Sequence, residues 1–206
     1  LHHCAFDFAG SYGCTADRTI RVDNNPPAAP KGLTVEGGEV WQRTNSFNLE
    51  WTEPDQGPAS PIVLSYFRLT GPDGYAGGPW YRTDPGKISG ITLPGPGEYK
   101  ARVWLADQAG NSDEAHAAEA TLRLDNVPPT GYFVDPPEDD PALIRVSVAD
   151  RFSGVQGGSV AWRPADGGDW HPISSDYLGD RQPGSPMTCR EAAGCCGRRS
   201  PTGPAT

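Results

Sequence analysis

Cysteine chemistry is the clearest reactive feature of the sequence. Cys4 and Cys14 flank an Ala-Gly turn at residues 9–10, so in a hairpin their thiols would stand on neighbouring strands. A disulfide between them would stabilise the hairpin by roughly 2–3 kcal/mol, and it would indicate an oxidising compartment. The alternative is a pair of unrelated free thiols. We predict a structural disulfide between Cys4 and Cys14.

The other potential metal ligands do not have the spacing of a metal site. Cys189, Cys195 and Cys196 lack a fourth ligand and the intervals that zinc sites use. The His2-His3-Cys4 run is more typical of a piece of strand than of a metal site. We therefore predict no metal and no cofactor.

Aspartates recur beside the turns and linkers, at Asp23, Asp107 and Asp125. Carboxylates near linkers can bind Ca²⁺, which takes roughly six to eight oxygen ligands. The sequence does not supply an evident set of that size. Asp and Asn in turns commonly accept hydrogen bonds from nearby backbone N–H groups, and this structural role is favoured over calcium binding.

The sequence offers little support for catalysis. Glu50 and Glu53 could be imagined as the acid and base of glycoside hydrolysis. Glu50, however, alternates with apolar residues, which places it on the solvated face of a strand. The chain also has no Gly-x-Ser-x-Gly, His-Glu-x-x-His or phosphate-loop motif. We predict that the protein is not an enzyme and has no catalytic residue.

Tryptophans are the remaining candidates for ligand contacts. Trp51 alternates with polar neighbours and is predicted in the core, where its burial would favour folding by roughly 4–6 kcal/mol at most. Trp80 lies beside Pro and Gly, and Trp104 alternates opposite to the inner face. Exposed aromatic rings of this kind can stack on sugar rings, and the alternative is packing against a second sheet. Trp80 and Trp104 are the candidate ligand-stacking residues.

A duplicated phrase indicates how these residues are organised. Residues 19–27 (TIRVDNNPP) return as residues 121–129 (TLRLDNVPP) after about 102 residues, the length of one small β-sandwich domain. Each phrase ends in a Pro pair, which is typical of a semi-rigid linker. We predict the C-terminal hairpin of a truncated domain over residues 1–24, a complete domain over 25–127 and the start of a third over 128–180. The returning strand of the first hairpin is expected at residues 19–22, and a hairpin turn of the third domain at residues 165–170. The chain is expected to be a piece of a longer protein.

Strand periodicity fills the central domain. Apolar residues alternate with polar ones at residues 47–52, 99–105 and 118–125, and shorter runs lie at 33–35, 62–69, 79–82 and 87–93. These runs give about seven strands, the number expected of an immunoglobulin-like sandwich. The register of residues 62–69 stays open because two apolar sets alternate there. Long helical periodicity is absent, and we predict an all-β protein.

Two segments carry a family resemblance. Residues 49–54 (LEWTEP) and 93–103 (LPGPGEYKARV) resemble the fibronectin type III pattern, in which a Trp fills the core and a corner Tyr bonds back to nearby backbone. The resemblance implies tandem immunoglobulin-like, fibronectin type III-like β-sandwich domains, of which the first and last are incomplete. It implies core positions for Trp51 and Tyr99, and alternation adds Val103 and Leu122. The Asp-Asn-x-Pro-Pro linkers are similar to those of repetitive exported bacterial proteins.

Residues 181–206 differ in amino-acid composition from the rest of the chain. They contain four Arg and one Glu, a net charge of +3, whereas the whole chain has a net charge of −9. Codons compatible with the segment from Met187 onward can, in a shifted frame, encode the Asp-x-Ala-Gly-Asn turn of residues 107–111. We interpret this tail as an aberrant, disordered frameshift product, and the alternative is a genuine basic tail.

Composition narrows the partners and the location. A net charge of −9 and a pI of about 4.8 argue against nucleic acid, and no run of 18 apolar residues predicts a membrane span. We expect a non-catalytic repeat module of a secreted or cell-surface bacterial protein, acting as a spacer or as an interaction surface for proteins or glycans. One alternative is an accessory, carbohydrate-binding region of a secreted polysaccharide-active enzyme. Another is a calcium-stiffened adhesin.

Overall fold

The computed structural model describes residues 1–135, 138–139, 144–173, 175–177 and 189–191. The chain forms two compact units, Leu1–Leu124 and a second that begins at Asp125. The regular structure of the described residues in both units is predominantly β-strand, which confirms the all-β prediction. Helical structure in the described part is confined to two 3₁₀ turns, Pro72–Gly74 and Glu114–His116. Neither has the length or the apolar character that crossing a membrane would require.

Within residues 1–124, all of which the structure describes, ten strands form: β1 (Cys4–Phe6), β2 (Tyr12–Cys14), β3 (Lys31–Val35), β4 (Trp41–Gln42), β5 (Phe47–Thr52), β6 (Ile62–Thr70), β7 (Ala76–Arg82), β8 (Lys87–Ile91), β9 (Gly97–Asp107) and β10 (Ala118–Leu124). β1 and β2 form a hairpin. β3, β5 and β8 form a three-stranded sheet in that order, and the other five strands form a second sheet in the order β4-β10-β9-β6-β7. Neighbouring strands are antiparallel except β4, which runs parallel to β10.

Apolar side chains from the two larger sheets meet in one buried cluster. Alternation places Phe47, Leu49 and Trp51 of β5 on the face that points into it, while their polar neighbours point away. Two sheets that share one core are compatible with a β-sandwich. The side chains predicted for the core belong to this cluster, with exposed fractions of 8%, 4%, 0% and 0% for Trp51, Tyr99, Val103 and Leu122.

An irregular pairing resolves the open register of β6. The pairing of β6 with β9 shifts between Ile62 and Leu64, so Ile62 is buried from one candidate set while Phe67 and Leu69 are buried from the other. Ser65 shares the inner face and is fully buried, and its hydroxyl donates to the Asp84 carbonyl at 2.9 Å. A bulge of this kind changes which residues face inward, and strict alternation therefore fails here.

The β1–β2 hairpin has the disulfide that the sequence predicts. Cys4 and Cys14 lie opposite each other and are joined by an S–S bond of 2.06 Å. The turn is closed by Asp7, whose Oδ1 accepts the backbone N–H groups of Ala9 and Ser11 at 2.9 and 3.0 Å. Both strands are exposed along their whole length, so covalent closure and turn geometry hold this hairpin without a core of its own.

The strand predicted at residues 19–22 is wrong. In the second copy of the phrase, residues 121–124 belong to β10 and pair with β9. Ahead of the first copy, β1 and β2 pair with each other, and residues 19–22 have no hydrogen-bonded neighbouring strand in the described part of the chain. Without that neighbour the same residue types form no strand and stay exposed, with Val22 77% accessible.

The described residues of the second unit form β11 (Thr130–Val134), β12 (Arg145–Ala149), β13 (Val160–Trp162), β14 (His171–Ile173), β15 (Ser175–Tyr177) and β16 (Cys189–Glu191). These strands pair two by two in chain order. β13 and β14 form the hairpin predicted around residues 165–170, and Val155 is buried against Val148 and Val160. Apart from Cys189–Glu191, the tail interpretation for residues 181–206 concerns positions outside the described residues.

Candidate functional site

The exposed edge of the five-stranded sheet carries the most distinctive side chain of the first unit. Trp80 of β7 pairs with Phe67 of β6, so both side chains point to the inner face. Their ring centres lie 5.1 Å apart. Because β7 is the last strand of the sheet, the Trp80 ring is packed on the core from one side and remains 38% exposed. It is an anchored ring that solvent can reach.

Two glycines before Trp80 make this position possible. A Cβ added at Gly77 would lie 2.5 Å from Cη2 of Trp80, which is far inside van der Waals contact. Gly78 has a φ of +97°, and a Cβ there would lie 2.9 Å from the Phe67 carbonyl oxygen. The Gly-Gly-Pro-Trp order at residues 77–80 therefore lets the indole lie directly over its own strand.

A cavity of about 260 Å³ opens beside this ring. Its lining consists of Phe67 and Leu69 of β6, Trp80 and Arg82 of β7, and residues 90–92 at the end of β8. We call it the Trp80 cavity. It lies where the edge strands of the two sheets are not bonded to each other, since β7 and β8 belong to different sheets. The lining combines apolar side chains, among them Leu69 and Trp80, with the polar side chains of Arg82 and Thr92, and a ligand site needs both kinds of group.

Arg82 supplies the charge of the Trp80 cavity. The guanidinium carbon lies 5.2 Å from the centre of the Phe67 ring, within the range of a cation–π contact. Its Nη1 donates to the Tyr81 carbonyl at 2.9 Å. On the β8 side, Gly90 adopts a φ of +70°, and its N–H donates to Oδ1 of Asn48 at 2.8 Å. The contacts of Arg82 hold one side of the opening, and the hydrogen bond of Gly90 holds the other.

Trp104 does not present an exposed ring, and its assignment as a ligand-stacking residue is corrected here. Its side chain is 5% exposed and stacks on Tyr66 of β6, with ring centres 5.6 Å apart and planes at 16°. Tyr66 in turn meets the edge of Tyr81 at 6.3 Å. The row runs across the outer face of the sheet, where a neighbouring aromatic side chain covers Trp104.

The same outer face holds an ionic cluster that the sequence did not reveal. Glu114, in the turn before β10, accepts Nε and Nη2 of Arg68 at 3.1 and 3.2 Å and Nη1 of Arg102 at 3.2 Å. Arg68 and Arg102 lie opposite each other on β6 and β9, so Glu114 offsets the repulsion between them. A single glutamate in a loop gives no sequence signal of this role.

Asp23, the linker aspartate in the first copy of the duplicated phrase (residues 19–27), is hydrogen-bonded to residues that follow it in the chain. Oδ2 of Asp23 accepts the backbone N–H of Ser60 at 2.7 Å, and the Asp23 carbonyl accepts Nδ2 of Asn111 at 3.0 Å. The backbone N–H of Ser60, followed by that of Asn25, lowers the pKa of Asp23. Asn111 also donates to both carboxylate oxygens of the buried Asp107, at 2.9 Å each.

Asp125, the corresponding aspartate in the second copy (residues 121–129), also accepts a hydrogen bond from a residue that follows it. Oδ2 of Asp125 accepts the backbone N–H of Ser153 at 3.0 Å and also the Ser153 hydroxyl. Burial by itself would raise the pKa of Asp125, but the Ser153 hydroxyl and the N–H groups of Ser153 and Val127 hold it below the ordinary value. The neighbouring Asp150 is 6% exposed and accepts the N–H groups of Phe152 and Gly154 at 2.9 and 2.8 Å.

The aspartates therefore act as hydrogen-bond acceptors for backbone turns. Among the residues that the structure describes, no three His, Cys, Asp or Glu side chains are grouped closely enough to hold a metal ion. Glu50 is an exposed residue of β5 and Glu53 an exposed residue just after it. Neither glutamate belongs to the lining of the Trp80 cavity.

Comparison with known proteins gives no family assignment. No family model matches the chain, and no curated protein matches it. Function is therefore inferred from the geometry of the linkers and of the Trp80 cavity.

Proposed function

We propose that this chain is a non-catalytic repeat module of an exported, multi-domain protein whose immunoglobulin-like domains act as spacers or adhesive surfaces. One observation carries the proposal. In both copies of the duplicated phrase, a linker aspartate accepts a backbone N–H from a loop of the segment that follows. A linker fastened in this way has little conformational freedom, and restricted linkers are what a spacer requires.

The strand order supports a fibronectin type III-like assignment for the first unit. With β3, β5 and β8 taken as strands A, B and E, and β6, β9 and β10 as C, F and G, each sheet contains the strands that immunoglobulin-like sandwiches assign to it. The hydroxyl of Tyr99 donates to the Gly95 carbonyl at 3.1 Å, as a tyrosine corner does. The tandem arrangement is supported by the repeated phrase.

Export is supported by the chemistry of the hairpin and of the surface. The Cys4–Cys14 disulfide would persist in an oxidising compartment and be rare in a reducing one. The Pro pair of the first linker also packs closely, since Pro27 is buried and Nδ1 of His116 lies 2.8 Å from its carbonyl oxygen. A covalently closed hairpin and a packed linker suit a protein that must keep its shape outside the cell.

Small-angle X-ray scattering of the full chain tests the spacer function. Replacing Asp125 by Ala removes the bonds to Ser153, so we expect a larger radius of gyration and a broader distance distribution. Asp55→Ala is the matched control, because Asp55 accepts the N–H of the nearby Gly57 as its one bond among the described residues, and it should scatter like the wild type. Circular dichroism verifies that both variants keep their strands. Superimposable scattering curves for Asp125→Ala and wild type would contradict the claim that the Asp125 bonds restrain the linker.

A second candidate function is supported by the Trp80 cavity. A partly exposed indole beside a cavity, with a guanidinium at the rim, is suited to stacking on a sugar ring. The chain would then be an accessory, carbohydrate-binding region of a secreted polysaccharide-active enzyme. A glycan array probed with the wild-type chain and with Trp80→Ala tests it. Tyr81→Ala is the matched control because Tyr81 is 61% exposed on the opposite face of the same strand.

A further inference from the structure

The Trp80 cavity presents one positive charge in a protein whose net charge is −9. Arg82 is the single charged residue among those that line it. Within the described residues, Arg68, Arg102 and Arg123 each form an ion pair with a glutamate, whereas Arg82 does not. The cavity thus offers a cation that has no carboxylate partner in the part of the chain that the structure describes.

The Arg82 guanidinium is also held in place. Its stacking on Phe67 and its bond to the Tyr81 carbonyl fix the plane of the group and leave further N–H groups able to donate. A planar fork of donors matches the two oxygens of a carboxylate. Because the group is already oriented, binding a carboxylate costs less side-chain entropy than it would with a free arginine.

We propose that the Trp80 cavity binds a sugar ring that carries a carboxylate, namely a uronate residue of an acidic polysaccharide. This inference rests on the carbohydrate-binding function proposed above and names its ligand class. The apolar face of the sugar lies on the Trp80 indole, and the carboxylate accepts N–H groups of Arg82. A sugar hydroxyl meets Thr92, an exposed and uncharged polar residue of the lining.

The size and edges of the site favour this occupant over a peptide strand or a large cofactor. A volume of about 260 Å³ lies below the roughly 300–1,000 Å³ of pockets for drug-sized ligands, so it suits one ring of a chain that continues into solvent. A peptide would need free backbone donors at the edge strands. Pro79 of β7 has no N–H, and the N–H of Gly90 is bonded to Asn48.

Isothermal titration calorimetry on the full chain tests the proposal. The probes are oligosaccharides of galacturonate, glucuronate and mannuronate, each as the free acid and as its methyl ester, which removes the charge and keeps the ring. We expect at least one free acid to bind about tenfold more tightly than its ester, the value of one charge-assisted hydrogen bond. This preference should shrink at higher ionic strength because the site is open to solvent.

Three variants assign the binding to the cavity. Arg82→Gln should bring the affinity for the free acid down to that for the ester. Trp80→Ala should abolish binding of both, whereas Trp80→Phe keeps a ring and should retain part of it. Lys87→Gln is the matched charge control, because Lys87 is exposed on β8 and does not line the cavity. It should keep the wild-type preference.

The outcomes separate the two proposals. Equal binding of acid and ester, or a preference that survives Arg82→Gln, overturns the uronate inference and leaves carbohydrate binding in place. If the oligosaccharides still bind to Trp80→Ala, the Trp80 cavity is not their binding site. An absence of binding to every acid and ester, together with a blank neutral glycan array, overturns both the inference and the carbohydrate-binding function.

Discussion

Replacing Tyr99 by Phe removes one hydrogen bond and leaves the packing of the ring unchanged. Tyr99 is 4% exposed, and its hydroxyl donates to the Gly95 carbonyl at 3.1 Å. Burial raises the pKa of Tyr99, so the hydroxyl keeps its proton across the ordinary pH range. Losing a hydrogen bond of this kind costs about 1–1.5 kcal/mol of unfolding free energy. The ring contact with Tyr75, at 5.8 Å between centres, is retained in the variant.

Amide hydrogen exchange in β9 measures this loss for the first unit alone. Under conditions in which these amides exchange by opening of the whole unit, a loss of about 1–1.5 kcal/mol makes exchange about five- to twelvefold faster. Tyr81→Phe is the control, since the exposed Tyr81 should change stability by no more than about 0.5 kcal/mol. If Tyr99→Phe exchanges no faster than Tyr81→Phe, the corner hydroxyl does not stabilise the fold and our account of it is wrong.

Three further predictions concern packing, redox state and pH. Gly71→Ala should destabilise the first unit by about 1–3 kcal/mol in urea titrations, because the added Cβ would overlap the Tyr99 ring; an unchanged midpoint would contradict that contact. Reducing the Cys4–Cys14 disulfide should abolish exchange protection in β1 and β2 and leave β9 protected, since an exposed two-stranded hairpin is marginal by itself. Asp125 has a lowered pKa, so its ionised form stabilises the fold above the ordinary carboxyl pKa of about 3.9. The advantage of wild type over Asp125→Asn in melting temperature should therefore be constant at neutral pH, begin to decrease as the pH approaches about 4, and be lost as the pH falls further through the lowered pKa of Asp125; an advantage that does not decrease with falling pH would refute this assignment.

The alternation of apolar and polar residues in the sequence correctly predicted the strands in which buried and exposed side chains alternate regularly. Phe47, Leu49 and Trp51 follow the period of two and face the core, as the sequence predicts. The method fails where the pairing is irregular, because the shift between Ile62 and Leu64 mixes the two candidate faces of β6. A bulge depends on the partner strand, which a local pattern does not contain.

Trp104 shows a second limit of the period-two rule. The pattern correctly places its side chain opposite to the inner face, but the outer face of a sheet is not the same as its exposed surface. Tyr66 on the neighbouring strand covers the indole, and cross-strand neighbours are known only once the register is known. The two-residue strand β4 was missed for the same reason, since its pairing with β10 joins distant parts of the chain.

The Trp80 cavity could be predicted only in part. Gly and Pro beside a tryptophan mark an irregular edge, and this is the signal that singled out Trp80. The cavity itself also needs Arg82 and residues 90–92, which come together because β7 and β8 end different sheets. Such a gap between sheets is a property of the topology and leaves no trace in any single segment.

The bonds of the linker aspartates also bear on where one copy of the repeat should be cut for expression or exchange. Asp23 is joined to Ser60 and Asn111, and Asp125 opens the second unit. A cut at the proline pairs (residues 26–27 and 128–129) would separate Asp23 and Asp125 from the loops to which they are hydrogen-bonded. A segment from Asp23 to Leu124 keeps Asp23 together with both of these partners, and recombination between copies at that junction would preserve these bonds.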